Sequence, residues 1–197
     1  MRTWREGDGI RLGPFLIAWQ GGVVLETRLR PEEDGPRILA AALASFTGER
    51  TAPGLFSPVG RIAQWRLLHG IREEDGGSFL DGASALIVLG EGLTPAGDDC
   101  LVGTLAVLWR WRAAWLKENL QVRKAIEAAG ETGTTLVGRE FLLHALAGSF
   151  SELIGHLINA RSAAEAVERA DEIARMGASS GADTLWGMHL ALEGLQP

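Results

Sequence analysis

The chain has 197 residues, is 46% hydrophobic, and carries a formal charge of −6 with a pI near 5.3. That is ample apolar content for one folded domain and a poor match for disorder or for a nucleic-acid surface, which needs clustered Lys and Arg. The longest apolar run, Cys100 to Trp109, is about half of what a membrane span requires, the opening MRTWREGDG lacks a signal-peptide core, and one cysteine, Cys100, gives neither a disulfide nor a CxxC metal site.

In chain order, Ile10–Trp19 (IRLGPFLIAW), the turn signal Gln20-Gly21-Gly22 and Val23–Leu29 (VVLETRL) predict a β-hairpin. After Pro31 the pattern turns helical. Pro36 opens one helix and Gly48 follows it; Ser57 and Pro58 open a second, which Gly70 closes. ASALIVLG, Ala83–Gly90, reads equally as a buried strand or a helix end. The longest predicted helix covers Asp98 to Leu120, and another follows Thr134-Thr135 and stops at Gly148. Ser149 with Glu152 and Ser162 with Glu165 form two capping boxes, and a last helix runs from Gly181 to Leu195. The expected fold is therefore α+β and mainly α: a β-rich segment over 1–33, then one helical bundle over 34–197.

The informative stretch is GEGLTPAGDD, Gly90 to Asp99. A helix begins with unpaired N–H groups and about half a positive charge, so it can cradle a phosphate or carboxylate. Gly92 and Gly97 let another group approach the backbone, Thr94 offers a hydroxyl, and Asp98 and Asp99 sit in the first turn, where they could equally serve as caps. The pattern occurs twice. AGDDCLVGTLAVL from Ala96 aligns without gaps to SGADTLWGMHLAL from Ser180, matching Gly97 with Gly181, Asp99 with Asp183, Leu101 with Leu185 and Gly103 with Gly187. A cap needs no such glycines, and each mid-helix Gly costs roughly 1 kcal/mol against Ala. The expectation is that these two helices cross closely at Gly103 and Gly187, with Asp99 and Asp183 facing one cleft.

Asp98, Asp99 and Asp183 are the candidate catalytic residues. Two chemistries fit them. They could hold Mg²⁺, a cation that prefers oxygen ligands; or they could accept hydrogen bonds from an amide or carbamoyl NH₂, while the helix N–H groups, Thr94, Ser179 and Ser180 hold its acidic end. Thr134, Thr135 and Arg139 are further candidate substrate-binding residues: taken alone the two threonines read most simply as caps, and Arg139 is the best-placed cation for an anion near the aspartates. Glu140 with His144 and Glu152 with His156, at i, i+4, suit ordinary helix pairing better than zinc. Trp109 and Trp111 cannot share one helix face, which suggests a subunit contact and a homo-oligomer.

Taken together, LGEGLTPAGDDCLVG, TTLVGREFLLHALAGSFSE and MGASSGADTLWGMHLAL resemble, in order and spacing, the AllH family, over about Leu86 to Leu192. Ala96 stands where that family usually has Ser, Cys100 where it has an aromatic, and Ser179 where it has Thr. The resemblance implies a subunit acting with two larger partner proteins in allantoin and purine catabolism. Together they interconvert carbamoyl phosphate plus oxamate with oxalurate plus phosphate. It carries over Gly92, Thr94, Gly97, Asp98, Asp99, Ser180, Gly181 and Asp183 as ligand or interface residues. A small anionic substrate and a cytoplasmic location are expected. Two other functions compete: a stand-alone Mg²⁺-dependent hydrolase of a phosphorylated or amide substrate, and a non-catalytic assembly protein in which glycines serve packing and aspartates serve as caps.

Overall fold

The computed structural model describes residues 3–6, 9–12, 15–18, 27–31, 36–44, 46, 48–87 and 89–196. Among the described residues ten α-helices make the body: α1 (Arg37–Leu43), α2 (Pro58–Arg72), α3 (Gly76–Leu86), α4 (Ala96–Trp111), α5 (Ala113–Glu118), α6 (Leu120–Gly133), α7 (Leu136–Leu146), α8 (Glu152–Ile158), α9 (Ala163–Ala174) and α10 (Ser180–Leu195). A 3₁₀ turn at Pro53–Phe56 leads into α2. No described helix is long and apolar enough to cross a membrane.

The expected α+β class is corrected to a helical fold, because the hairpin of Ile10–Trp19 with Val23–Leu29 is not seen among the described residues. Ile10–Trp19 is not one strand: it is split into β2 (Gly9–Leu12) and β3 (Phe15–Ala18), and β1 (Thr3–Glu6) pairs on the other side of β2. These four-residue antiparallel strands make a local meander of order β1-β2-β3. The proline at position 14, which cannot donate to a ladder, stands between the two halves of the run. The expected turn at 20–22 lies outside the described residues. Its second strand is absent among them: Arg28 makes only an isolated bridge to Ser149.

The helix starts follow their caps. Ser57 accepts from the Gly60 N–H at 3.1 Å, Thr135 from Gly138 at 3.0 Å and Ser162 from Glu165 at 3.2 Å. The box expected at Ser149 is displaced by two residues, since Ser151 caps α8. Gly70 does not end α2, which runs on to Arg72; the backbone of Phe79 on α3 packs against that glycine instead. ASALIVLG resolves as the end of α3. The long helix expected over 98–120 breaks at Arg112, between α4 and α5.

At the centre lie α4 and α10, which share the largest interface of any two elements. Both are buried on nearly every side. A Cβ on Gly103 would overlap the carbonyl oxygen of Thr184, and one on Gly187 would overlap that of Cys100. In the sequence echo Cys100 is the counterpart of Thr184, so the two contacts are one contact made twice, related by a local pseudo-twofold axis. Thr104 seals the crossing by donating to the Cys100 and Gly187 carbonyls at 3.0 and 3.1 Å.

The symmetry reaches further back than the ungapped echo. Gly97 lies on the carbonyl of Leu86, near the end of α3, and Gly181 lies on that of Ile173, near the end of α9. The chain leaves α3 with a Leu89 N–H bond to Leu86 O at 2.8 Å, and leaves α9 with a Met176 N–H bond to Ile173 O at 2.8 Å. Gly97 N–H then donates to Leu89 O, and Gly181 N–H to Met176 O. Thus α3–α4 and α9–α10 are two copies of one helix–loop–helix unit. The loop of the first copy is longer, and the extra residues are those around Gly90 and Gly92, which take left-handed φ values of 117° and 100°.

Gly103→Ala should cost about 3 kcal/mol, since the overlap is with backbone that cannot rotate away. Gly155→Ala in α8, where a Cβ meets nothing within 4 Å, should instead gain about 0.5 kcal/mol. Urea unfolding of the two variants checks the pair; equal midpoints would exclude backbone contact at the crossing.

Candidate functional site

The glycine crossing brings three helix N-termini together, those of α4, α7 and α10. Asp98, Asp99 and Asp183 are 1%, 7% and 0% exposed, which for carboxylates demands partners. The N-cap positions of α4 and α10, Pro95 and Ser179, make no side-chain cap bond. Each aspartate turns a different way. Asp98 accepts from the Thr134 hydroxyl just before α7, and its carboxylate fills the space against Gly138. Thr135 caps α7 and donates to the Leu93 carbonyl, so the two threonines tie α7 to the loop before α4.

Asp99 accepts from the hydroxyls of Ser180 and Thr94, which themselves lie 3.0 Å apart. This triangle has three edges and two hydroxyl protons, so one edge lacks a proton whenever Asp99 is ionised. Its Oδ2 is buried with no protein partner. Burial, with smaller contributions from the charges of Asp183 and Asp98, raises its pKa to about 7. Asp183 accepts from the Ala52 N–H at 2.8 Å and from the Ser179 hydroxyl, and its Oδ2 is likewise unpartnered. Burial raises its pKa too. Cys100, enclosed in the same helix, is held as a thiol by burial.

Asp99 lines a cavity of about 350 Å³, mostly apolar, bounded by Val102, Phe141, Ile154 and Met176, with Thr27, His144, Ser149, Ser151 and Thr184 supplying its polar atoms. Asp183 is not among its lining residues. The counterpart place is filled by the chain itself: the segment Gly48–Ala52 lies on Asp183 and Trp186, the equivalents of Asp99 and Val102. A larger groove of about 980 Å³ runs beside Arg37, Trp111 and Arg161, but it touches none of the aspartates.

The sequence candidates therefore divide. Gly97, Gly181, Thr94, Ser179, Ser180, Asp99 and Asp183 gather at the crossing. Thr134, Thr135 and Asp98 hold α7 against it. Gly92 is exposed, and a Cβ there would meet nothing within 4 Å; Arg139 pairs with Glu131 at 3.7 Å rather than with an aspartate. Among the described residues no three His, Cys, Asp or Glu side chains converge to hold a metal. Phe141, Ser149, Ser151, Met176 and Ala52 do not stand out as site residues in the sequence. They come from loops and helices whose own patterns signal only caps and packing.

The family described as oxamate carbamoyltransferase subunit AllH matches residues 86–192, more than half of the chain, and spans both copies of the unit. The chain belongs to that family. No solved structure matches it.

The raised Asp99 pKa sets a sign for pH. The unfolded carboxyl titrates near 3.8 and the folded one near 7, so the folded state holds the extra proton between those values. Stability from this group is full below about pH 4 and is lost as pH rises through 7, by about 4 kcal/mol. Asp99→Asn removes the titration, so wild type should fall relative to the variant between pH 4 and 8 in urea unfolding. Parallel pH profiles would exclude the shift.

Proposed function

We propose, with that membership as the premise, that this carbamoyltransferase subunit binds oxamate in the cavity beside Asp99. The amide NH₂ donates to the Asp99 carboxylate, and the carboxylate end of oxamate turns toward Ser149, Ser151 and His144, which also line the cavity. The carrying observation is the pair of unlike aspartates. Asp183 already accepts an amide N–H from Ala52, while its symmetric counterpart Asp99 lines an open cavity. A primary amide offers Asp99 what the peptide N–H offers Asp183.

The raised pKa suits a proton acceptor operating near neutrality. In carbamoyl transfer the oxamate nitrogen forms its bond to the carbamoyl carbon, the bond from that carbon to the phosphate oxygen breaks, and the nitrogen's proton passes to Asp99. Asp98 and Asp183 then act through position: Asp98 fixes α7, and Asp183 fixes the segment that leads into α2. The remaining subunits of the enzyme supply what this cavity lacks.

Calorimetry on the purified chain tests the reading. Oxamate should bind and raise the melting temperature, whereas oxalate, of similar size but without N–H donors, should not. Asp99→Ala should lower oxamate affinity by roughly 10- to 100-fold, the worth of one hydrogen bond to a charged group. Equal binding of oxamate and oxalate, or no loss in Asp99→Ala, would refute it.

A further inference from the structure

Thr94 and Ser180 come from the two copies of the helix–loop–helix unit: Thr94 stands in the long loop before α4, and Ser180 is the first residue of α10. Both are half-buried, and neither lines the cavity beside Asp99. They turn to Asp99 itself, which accepts from both, and their hydroxyls lie 3.0 Å apart. A hydroxyl donates one proton and accepts through two lone pairs. With Asp99 ionised, both protons go to the carboxylate, because a charge-assisted bond is the stronger one, and the edge between Thr94 and Ser180 holds none. With Asp99 protonated, three protons serve three edges, and each group donates to the next. The triangle takes up a proton without losing a bond.

The sealed copy has no such cycle. Asp183 accepts from the Ala52 N–H and the Ser179 hydroxyl, and a peptide N–H has no lone pair with which to accept. The two aspartates therefore differ in proton capacity as well as in access. Around Asp99 the two hydroxyls work against their surroundings. Burial raises its pKa most, and Asp183 and Asp98 raise it further, whereas Ser180 and then Thr94 lower it. On the elements packed about it, Cys100 stays a thiol, Arg139 pairs with Glu131, and His144, Arg28, Glu140, Glu152, His156 and Arg175 are exposed to screening water.

We propose that Thr94 and Ser180 are positioning residues for the proton acceptor: by donating to Asp99 they hold it as a carboxylate, and the edge between them closes when Asp99 takes the proton of the substrate nitrogen. In the transfer the N–H bond breaks, its electron pair stays with the nitrogen that bonds to the carbamoyl carbon, and the proton enters the triangle. The reverse reaction draws the same proton back. Neither hydroxyl touches the substrate; both act through Asp99. This role rests on the reading of Asp99 as the acceptor for oxamate, and oxamate calorimetry tests that reading separately.

Urea unfolding between about pH 4 and 9 tests the role without any ligand. In wild type the stability contributed by Asp99 is lost as pH rises through about 7. Ser180→Ala removes a donor to the carboxylate, so the folded carboxyl keeps its proton to higher pH, and the loss should move alkaline by about one pH unit. Thr94→Val should move it the same way by less, and Thr94→Ser, which keeps the hydroxyl, should follow wild type. Added to Asp99→Asn, Ser180→Ala should leave the pH profile in place. A merely structural role would lower stability alike at every pH. Profiles of Ser180→Ala and Thr94→Val that run parallel to wild type, or a shift that persists in the Asp99→Asn background, overturn the proposal. An alkaline shift without oxamate binding sinks only the oxamate reading, and oxamate binding with parallel profiles sinks only the role of the hydroxyls.

Discussion

Everything in this molecule is placed by a contact between two backbones. At the crossing of α4 and α10 no side chain separates Gly103 from the Thr184 carbonyl or Gly187 from that of Cys100. Each glycine weakens its own helix, and each is tolerated because close approach multiplies dispersion contacts in a dense interior. The geometry that results has no rotamer freedom in it. Asp99 and Asp183, each four residues before a crossing glycine, are carried into the interior whether or not their charges welcome it. The positive ends of the two helices offset part of that burial, and hydroxyls from Thr94, Ser179 and Ser180 offset more.

The pseudo-twofold symmetry at the crossing is broken in its surroundings, and that asymmetry leaves a cavity at one aspartate and not at the other. Around Asp183 the segment before the 3₁₀ turn lies in place and gives its N–H to the carboxylate. Around Asp99 the corresponding space is left open, walled by α7, α8 and Thr27. The longer loop of the first copy, with Gly90 and Gly92 in left-handed conformations, carries Thr94 across to Ser180 and Leu93 across to Thr135. One copy of the unit is thus sealed by its own chain and the other lines an open cavity.

The glycine-and-aspartate echo was legible because it violates helix preference twice at the same spacing, and only close packing explains that. The caps at Ser57, Thr135 and Ser162 were legible for the opposite reason: they satisfy a local demand with a local residue. What sequence hid is mostly long-range. The equivalence of Leu86 with Ile173, and of Leu89 with Met176, is shifted by the longer loop and disappears from an ungapped alignment. The break of the helix at Arg112 has no Gly or Pro to mark it. The hairpin expectation treats Ile10–Trp19 as one strand through a Gly-Pro pair, although a proline there favours the split that β2 and β3 show. Asp98 has its partner on Thr134, and Asp183 on Ala52; neither pairing leaves a trace in spacing.

The segment that seals Asp183 has a consequence in time as well as in space. Ala52 and Asp183 are separated by 131 positions, and Thr104 and Gly187 by 83. A ribosome therefore exposes the glycine face of α4, and frees the Ala52 N–H, long before it makes the helix that covers both. Contacts of such separation form late and slowly, and until they form the apolar surface they will bury is open to wrong partners. In this protein the central helix must wait for a mate 83 positions on, so the interval between the emergence of α4 and that of α10 is a period in which the nascent chain needs protection.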